Sequence, residues 1–182
     1  AAQSTAPEGP DLSTFYPAQN REHITVGAEH AEYNSSPPSG GWHYGLTSRK
    51  GFFDKPIPDE NAIHNLEHGD IWITYHPRIS EEAKDALKKF AFAKILISPR
   101  EANETDIALV AWERVDKFNL DGSLLPESRI RDFIKQYRNK GRRMRFLFSP
   151  RTLAHAVTLP PKTSSPYSKC CKKKRTYNSK SK

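Results

Sequence analysis

His64 and His68, four residues apart with Glu67 between them, form the densest set of metal-capable side chains in this sequence. On a helix, positions i and i+4 lie one above the other on the same face, so the pair can address a single ion. Glu67 stands three residues after His64, on the edge of that face. A short helix is expected to carry them. Asp59 can serve as its N-cap, Glu60 falls in the first turn, and Gly69 can end it in the left-handed conformation. Asp70 follows directly and, like Glu67, can orient a ligand from behind.

Five of the seven histidines, His23, His30, His43, His64 and His68, fall within residues 23–68. His43 follows Pro37-Pro38-Ser39-Gly40-Gly41-Trp42, a turn-rich segment expected to run over the surface. His23 precedes Ile24 and Val26, which read as the start of a strand. This spacing predicts a metal site with His23, His43, His64 and His68 as ligands, and Glu67 and Asp70 behind them. Imidazole donors suit copper or zinc. Cys170, Cys171 and Met144, the only sulfur-bearing residues, all lie in the C-terminal tail, which disfavours a soft Cu(I) site.

Two other readings use the same residues. His64-Asn65-Leu66-Glu67-His68 matches H-x-x-E-H, the inverted zinc-protease motif, in which Glu67 would be the catalytic residue activating a zinc-bound water. That reading needs a third ligand from downstream, for which Glu113 and Glu127 are the candidates. It also needs a long helix, whereas a strand starts by Ile71. The other alternative is a hydrogen-bonded network of imidazoles and Glu67 that holds a loop on the sheet. Recognition would then fall to Trp42, Tyr44, Phe52 and Phe53. Imidazole nitrogens converging on a point about 2.0–2.1 Å away would favour metal; bonds to separate carbonyls would favour the network.

The elements that position these residues follow from periodicity. Residues 23–33 alternate loosely and suggest a strand. Trp42 to Pro58 is aromatic and turn-rich, a long loop of the kind that is uncommon without a role. Ile71-Trp72-Ile73-Thr74-Tyr75-His76, ended by Pro77, is a strand. Ser80 caps a helix whose Ala83, Ala86, Leu87 and Phe90 follow the 3.6 period. Ile95-Leu96-Ile97 is a short buried strand, and Ile107 to Val115 reads as one more. A last helix starts at Pro126-Glu127, carries Ile130, Phe133, Ile134 and Tyr137 on one face, and ends near Gly141. The helix between two strands permits a parallel crossover, and the short turn before Ile107 suggests an antiparallel hairpin. The expected fold is α/β in the α+β sense: a small mixed sheet packed with two helices, plus the long aromatic N-terminal loop region.

Composition divides the 182 residues unevenly. The apolar fraction is 36% and there are 14 prolines, so part of the chain is expected to stay unpacked. Residues 1–20 read as a flexible leader that starts like a processed chain, residues 21–140 as one domain, and residues 141–182 as a basic, disordered tail. All 21 acidic residues precede position 141, whereas the tail holds 12 of the 29 Lys and Arg. The net charge of +8 therefore belongs to the tail, and the domain itself is mildly acidic. Lys169, Lys172, Lys173, Lys174 and Arg175 offer contact to an anionic surface, without the aromatic interleaving that specific nucleic-acid binding needs. Oligomeric state has no signature here. No run of 18 apolar residues occurs, so nothing in the chain as given spans a membrane.

The order Arg21-Glu22-His23-Ile24, Tyr33, Pro37-Pro38-Ser39-Gly40-Gly41-Trp42-His43-Tyr44, Gly51-Phe52-Phe53 and Ile63-His64-Asn65-Leu66-Glu67-His68-Gly69 resembles an uncharacterised bacterial family, a domain of unknown function. Its core reads Tyr…Pro-Pro-Thr-Ser-Gly-x-His…His-x-Leu-Glu-His-Gly. Ala111-Trp112 and Phe133-Ile134-x-x-Tyr137 also fit, so the resemblance covers residues 21–140. Gly40 departs from the serine of that pattern, and the tail after Gly141 has no counterpart in it. The resemblance implies an extracytoplasmic domain, secreted or anchored by an N-terminal segment absent from this chain. It implies recurring histidines at His23, His43, His64 and His68, with Glu67, while His30 stands outside that set. It implies no reaction.

Overall fold

A computed structural model describes residues 7–141. Its elements, in chain order, are β1 (Thr14–Phe15), β2 (His23–Ile24), β3 (His43–Tyr44), β4 (Gly51–Phe52), α1 (Asp59–Glu67) and β5 (Ile71–Tyr75), then α2 (Glu81–Lys88), β6 (Ile95–Pro99), β7 (Ile107–Ala111), β8 (Arg114–Phe118) and α3 (Glu127–Tyr137). Six strands form one mixed sheet in the order β1-β8-β7-β5-β6-β4, and β2 and β3 pair separately. This is the expected α+β class, and the short helix expected after Asp59 is α1, beside α2 and α3. The basic run, both cysteines and Met144 lie outside the described residues.

The sheet is covered on both faces, which is why its central strands read as continuous apolar runs rather than alternating ones. Ile71, Ile73 and Tyr75 of β5 face one layer with Ile95, Ile97, Ile107 and Leu109, under Ala83 and Leu87 of α2 and Ile130, Phe133 and Ile134 of α3. Trp72 of the same strand points the other way, onto Leu96, Val110 and Trp112, and is covered by Ala62, Ile63 and Leu66 of α1. That second layer carries the histidines. Some of its buried polar groups are paired: Trp72 Nε1 donates to Ser98 Oγ at 2.9 Å, and Asn103 Nδ2 donates to Thr74 Oγ1 at 2.8 Å.

Several expectations change. β5 and β6 are parallel across α2, as anticipated, but β7 pairs antiparallel with β5 rather than with β6. The chain crosses the end of β5, where Arg100 N–H bonds Tyr75 O and His76 N–H bonds Asp106 O. The run 107–115 is two strands, not one. It turns at Trp112-Glu113, with Glu113 at φ +63°. The turn lacks the usual Asn-Gly signal because distant segments hold it: Glu113 N–H donates to Ser39 O at 2.9 Å, and its carboxylate accepts from Ala18 N–H at 3.0 Å. The leader expected through residue 20 is in place from Glu8 onward. Glu8 and Gly9 N–H groups bond the Asp132 carboxylate, and β1 adds an edge strand to β8. Pro37 to Gly41, expected on the surface, is buried. Two of those residues are prolines with no N–H to satisfy, and Ser39 N–H finds Ser35 Oγ at 3.2 Å. Finally, Pro58 rather than Asp59 precedes α1, and α3 ends at Tyr137.

Asp106 ties this layout to pH. Burial alone would raise its pKa, but bonds from Leu120 N–H and Arg78, and the Arg78 charge, outweigh burial and hold it below 3.8. A depressed carboxylate stabilises the fold above its unfolded pKa, and that contribution is lost as pH falls through the folded value. Urea midpoints are therefore expected to drop as pH is lowered below 3.8. The Asp106→Asn variant should show a shallower drop over that range. An identical slope in the variant would remove Asp106 from the account.

Candidate metal centre

β2 and β3 are only two residues each, yet they do specific work. Their parallel pairing sets His23 directly opposite His43, and His43 N–H bonds Glu22 O at 3.1 Å. The rings meet edge to face with centroids 4.8 Å apart. The segment before His43 is bent by Gly41, whose φ of +129° lies where a side chain is rarely accommodated. Gly41 O in turn accepts from His43 Nδ1 at 2.7 Å. This bond places the ring proton on Nδ1 and leaves the Nε2 lone pair facing inward.

From the other side, α1 presents His64 on its buried face. Its ring centroid lies 4.9 Å from His23 and 5.1 Å from His43. The helix is fixed at both ends. Arg100 grips Asp59 with two guanidinium nitrogens, 2.9 Å at the shortest, and reaches Ser36 Oγ at 3.1 Å. At the C-terminus Gly69 turns the chain with φ +79°, and a Cβ there would lie 2.9 Å from Asn139 Cα. Asn139 N–H closes the contact onto Gly69 O at 2.8 Å.

His23, His43, His64 and Glu67 each offer one donor atom, and these four atoms all lie within 4.8 Å of one another. A tetrahedral zinc with nitrogen ligands at 2.0–2.1 Å has donor–donor edges of about 3.3 Å. The group is therefore close enough to hold a metal ion. His43 Nε2 is buried with no hydrogen-bond partner among the described residues, and Glu67 Oε2 stands 3.7 Å away. Burial, then the neighbouring His43 and His68, push the His64 pKa below 6.5. This favours the neutral form of His64, the form a metal binds.

The remaining predicted residues fall in two places. His68 is exposed at the end of α1, with its Nε2 3.0 Å from His64 Nε2, at the edge of the group. Asp70 turns away from the imidazoles. It is buried, accepts from Asn65 Nδ2 at 2.8 Å, and pairs with Lys50 at 3.0 Å. Of the downstream carboxylates considered for a hydrolytic site, Glu113 serves the β7–β8 turn and Glu127 pairs with Arg131 on α3. Neither joins the cluster. His30 stacks on Trp42 at 5.7 Å and lies 3.5 Å from Glu60, apart from the group.

Two residues that hold the site gave little signal in the sequence. Asn65 is fully buried and ties the loop after β3 to α1: its Oδ1 accepts from Ser48 N–H at 2.8 Å, and its Nδ2 donates to Ser48 O at 3.1 Å. Its only marker is a polar residue between Ile63-His64 and Leu66. Arg100 carries no marker at all, because Asp59 lies 41 residues away.

The model of a family described as "Protein of unknown function (DUF3105)" matches residues 23–145. That span contains every residue of the cluster. No curated protein and no solved structure matches the chain. Among the described residues no helix is long and apolar enough to cross a membrane.

Proposed function

Because the chain belongs to the family of proteins of unknown function DUF3105, we propose its role from geometry: it binds one copper or zinc ion through His23, His43, His64 and Glu67, with His68 alongside. The observation that carries this is the convergence of four donor atoms within 4.8 Å around the unpaired, buried His43 nitrogen. A buried lone pair without a donor is costly unless something fills the site. The carbonyl bond at His43 Nδ1 supports metal over a purely structural network, because it occupies the opposite ring nitrogen and orients Nε2 inward. Glu67 supplies one negative charge against a dication. Three imidazoles and a carboxylate, with no sulfur, suit Zn2+ or Cu2+ better than Cu+.

Protein purified without a histidine tag, stripped with chelator and titrated with Zn2+ or Cu2+, is expected to take up one ion per chain. Elemental analysis after desalting reads the result. A chain that retains neither ion would end this reading. The extracytoplasmic location implied by the resemblance belongs to the same proposal, and a cytosolic pool on fractionation of the native cells would remove it.

A further inference from the structure

Four donor groups, the number a tetrahedral ion takes, converge within 4.8 Å, and a fifth, His68, adjoins one of them. His43 and His64 are buried, whereas His23 and His68 are exposed. The fifth donor is not scattered: His68 Nε2 touches His64 Nε2 at 3.0 Å. Two imidazole nitrogens at that distance must share a proton, one donating and the other accepting. The same separation is near the edge of about 3.3 Å between two nitrogens bound to one tetrahedral zinc. His68 can therefore hold an ion together with His64 without any backbone movement.

Resting on the metal-binding reading above, we propose that His68 is a transfer ligand: it receives the ion at the surface and passes it to His64 and the buried set, and it returns on the way out. The site is thus built to exchange its metal rather than to lock it in. Zinc sites can expand to five ligands, so an incoming donor can bind before an outgoing one leaves. His68 adds such a donor at the exposed side. As the ion arrives, the proton between the two Nε2 atoms moves, by way of solvent, to Nδ1 of the ring that carried it, so both Nε2 lone pairs become available with no net proton released. Glu67, one residue before His68 at the end of α1, can follow the ion inward from the same turn of helix.

The test uses the full, untagged chain loaded with Co2+, whose visible spectrum reports the ligand set, and with Zn2+ for exchange. His68→Ala is expected to keep one ion per chain and an unchanged Co2+ spectrum. Its rates of uptake and of release to a chelator are expected to fall at least tenfold, with their ratio nearly constant. His68→Gln, which keeps a polar contact but not an imidazole, should be equally slow. His30→Ala, at a histidine outside the cluster, should exchange like the wild type. A changed Co2+ spectrum in His68→Ala would overturn the proposal by making His68 a resident ligand. Unchanged exchange rates would overturn it by making His68 irrelevant. Both outcomes differ from failure of the underlying reading, in which the wild type takes up no ion at all.

Discussion

Replacing His43 and His64 together with alanine is expected to abolish metal uptake and the thermal stabilisation that accompanies it. An ion that binds only the folded chain stabilises it by about 4 kcal/mol when present at 1,000 times its dissociation constant. For a domain of this size each kcal/mol raises Tm by about 2–4 °C. The wild type is therefore expected to gain roughly 10 °C on adding Zn2+ or Cu2+, and the double variant nothing. Both rings are buried, at 0% and 7% exposure, so their removal also leaves cavities that lower the stability of the metal-free protein. For this reason each protein serves as its own reference, scanned with metal and with chelator. The difference between the two scans isolates binding from packing. A double variant that shifts as much as the wild type would place the ion elsewhere.

Asn65→Leu is expected to lose about 3 kcal/mol of stability and to loosen the loop between β3 and β4. Leucine keeps the branched outline of asparagine, with bulkier methyl groups in place of the amide, but cannot bond. The change removes the bonds to Ser48 N–H, Ser48 O and Asp70 Oδ2. Each buried group left without a partner costs about 1–3 kcal/mol. Ser48 is only half-buried and can turn to water, so the larger share falls on Asp70, which is 2% exposed and keeps its pairing with Lys50. Urea unfolding measures the loss, and limited proteolysis between residues 45 and 50 reads the freed loop. A loss below about 1 kcal/mol would show that packing of the aromatics, such as Phe52 stacked on Tyr75 at 5.7 Å, holds the loop instead.

The two predictions bear on different layers of the same arrangement. The histidines provide the donors, and Asn65, Asp59 with Arg100, and the Gly69 turn keep α1 where its donors meet those of β2 and β3. Loss of the first set removes binding at once. Loss of the second weakens the fold and blurs the geometry around the centre.

Residue type and local period were enough to identify the β5 and β6 strands, α2, α3 and the helix bearing His64 and Glu67. Each depends on interactions within a few residues: apolar spacing, a Ser80 cap, a glycine that stops a helix. The same local logic picked out His23, His43, His64 and His68 as potential ligands. What it could not reach is pairing between distant segments. The turn at Glu113 exists because residues 18 and 39 bond to it, and the strand order follows from β7 crossing to β5. Glu67 joins the four-atom group and Asp70 leaves it, because Asn65 and Lys50 capture Asp70 from the other side. Two-residue strands such as β2 and β3 have almost no local signature. They form only when the folded sheet and α1 bring His23 and His43 side by side, and that closure is a property of the tertiary structure alone.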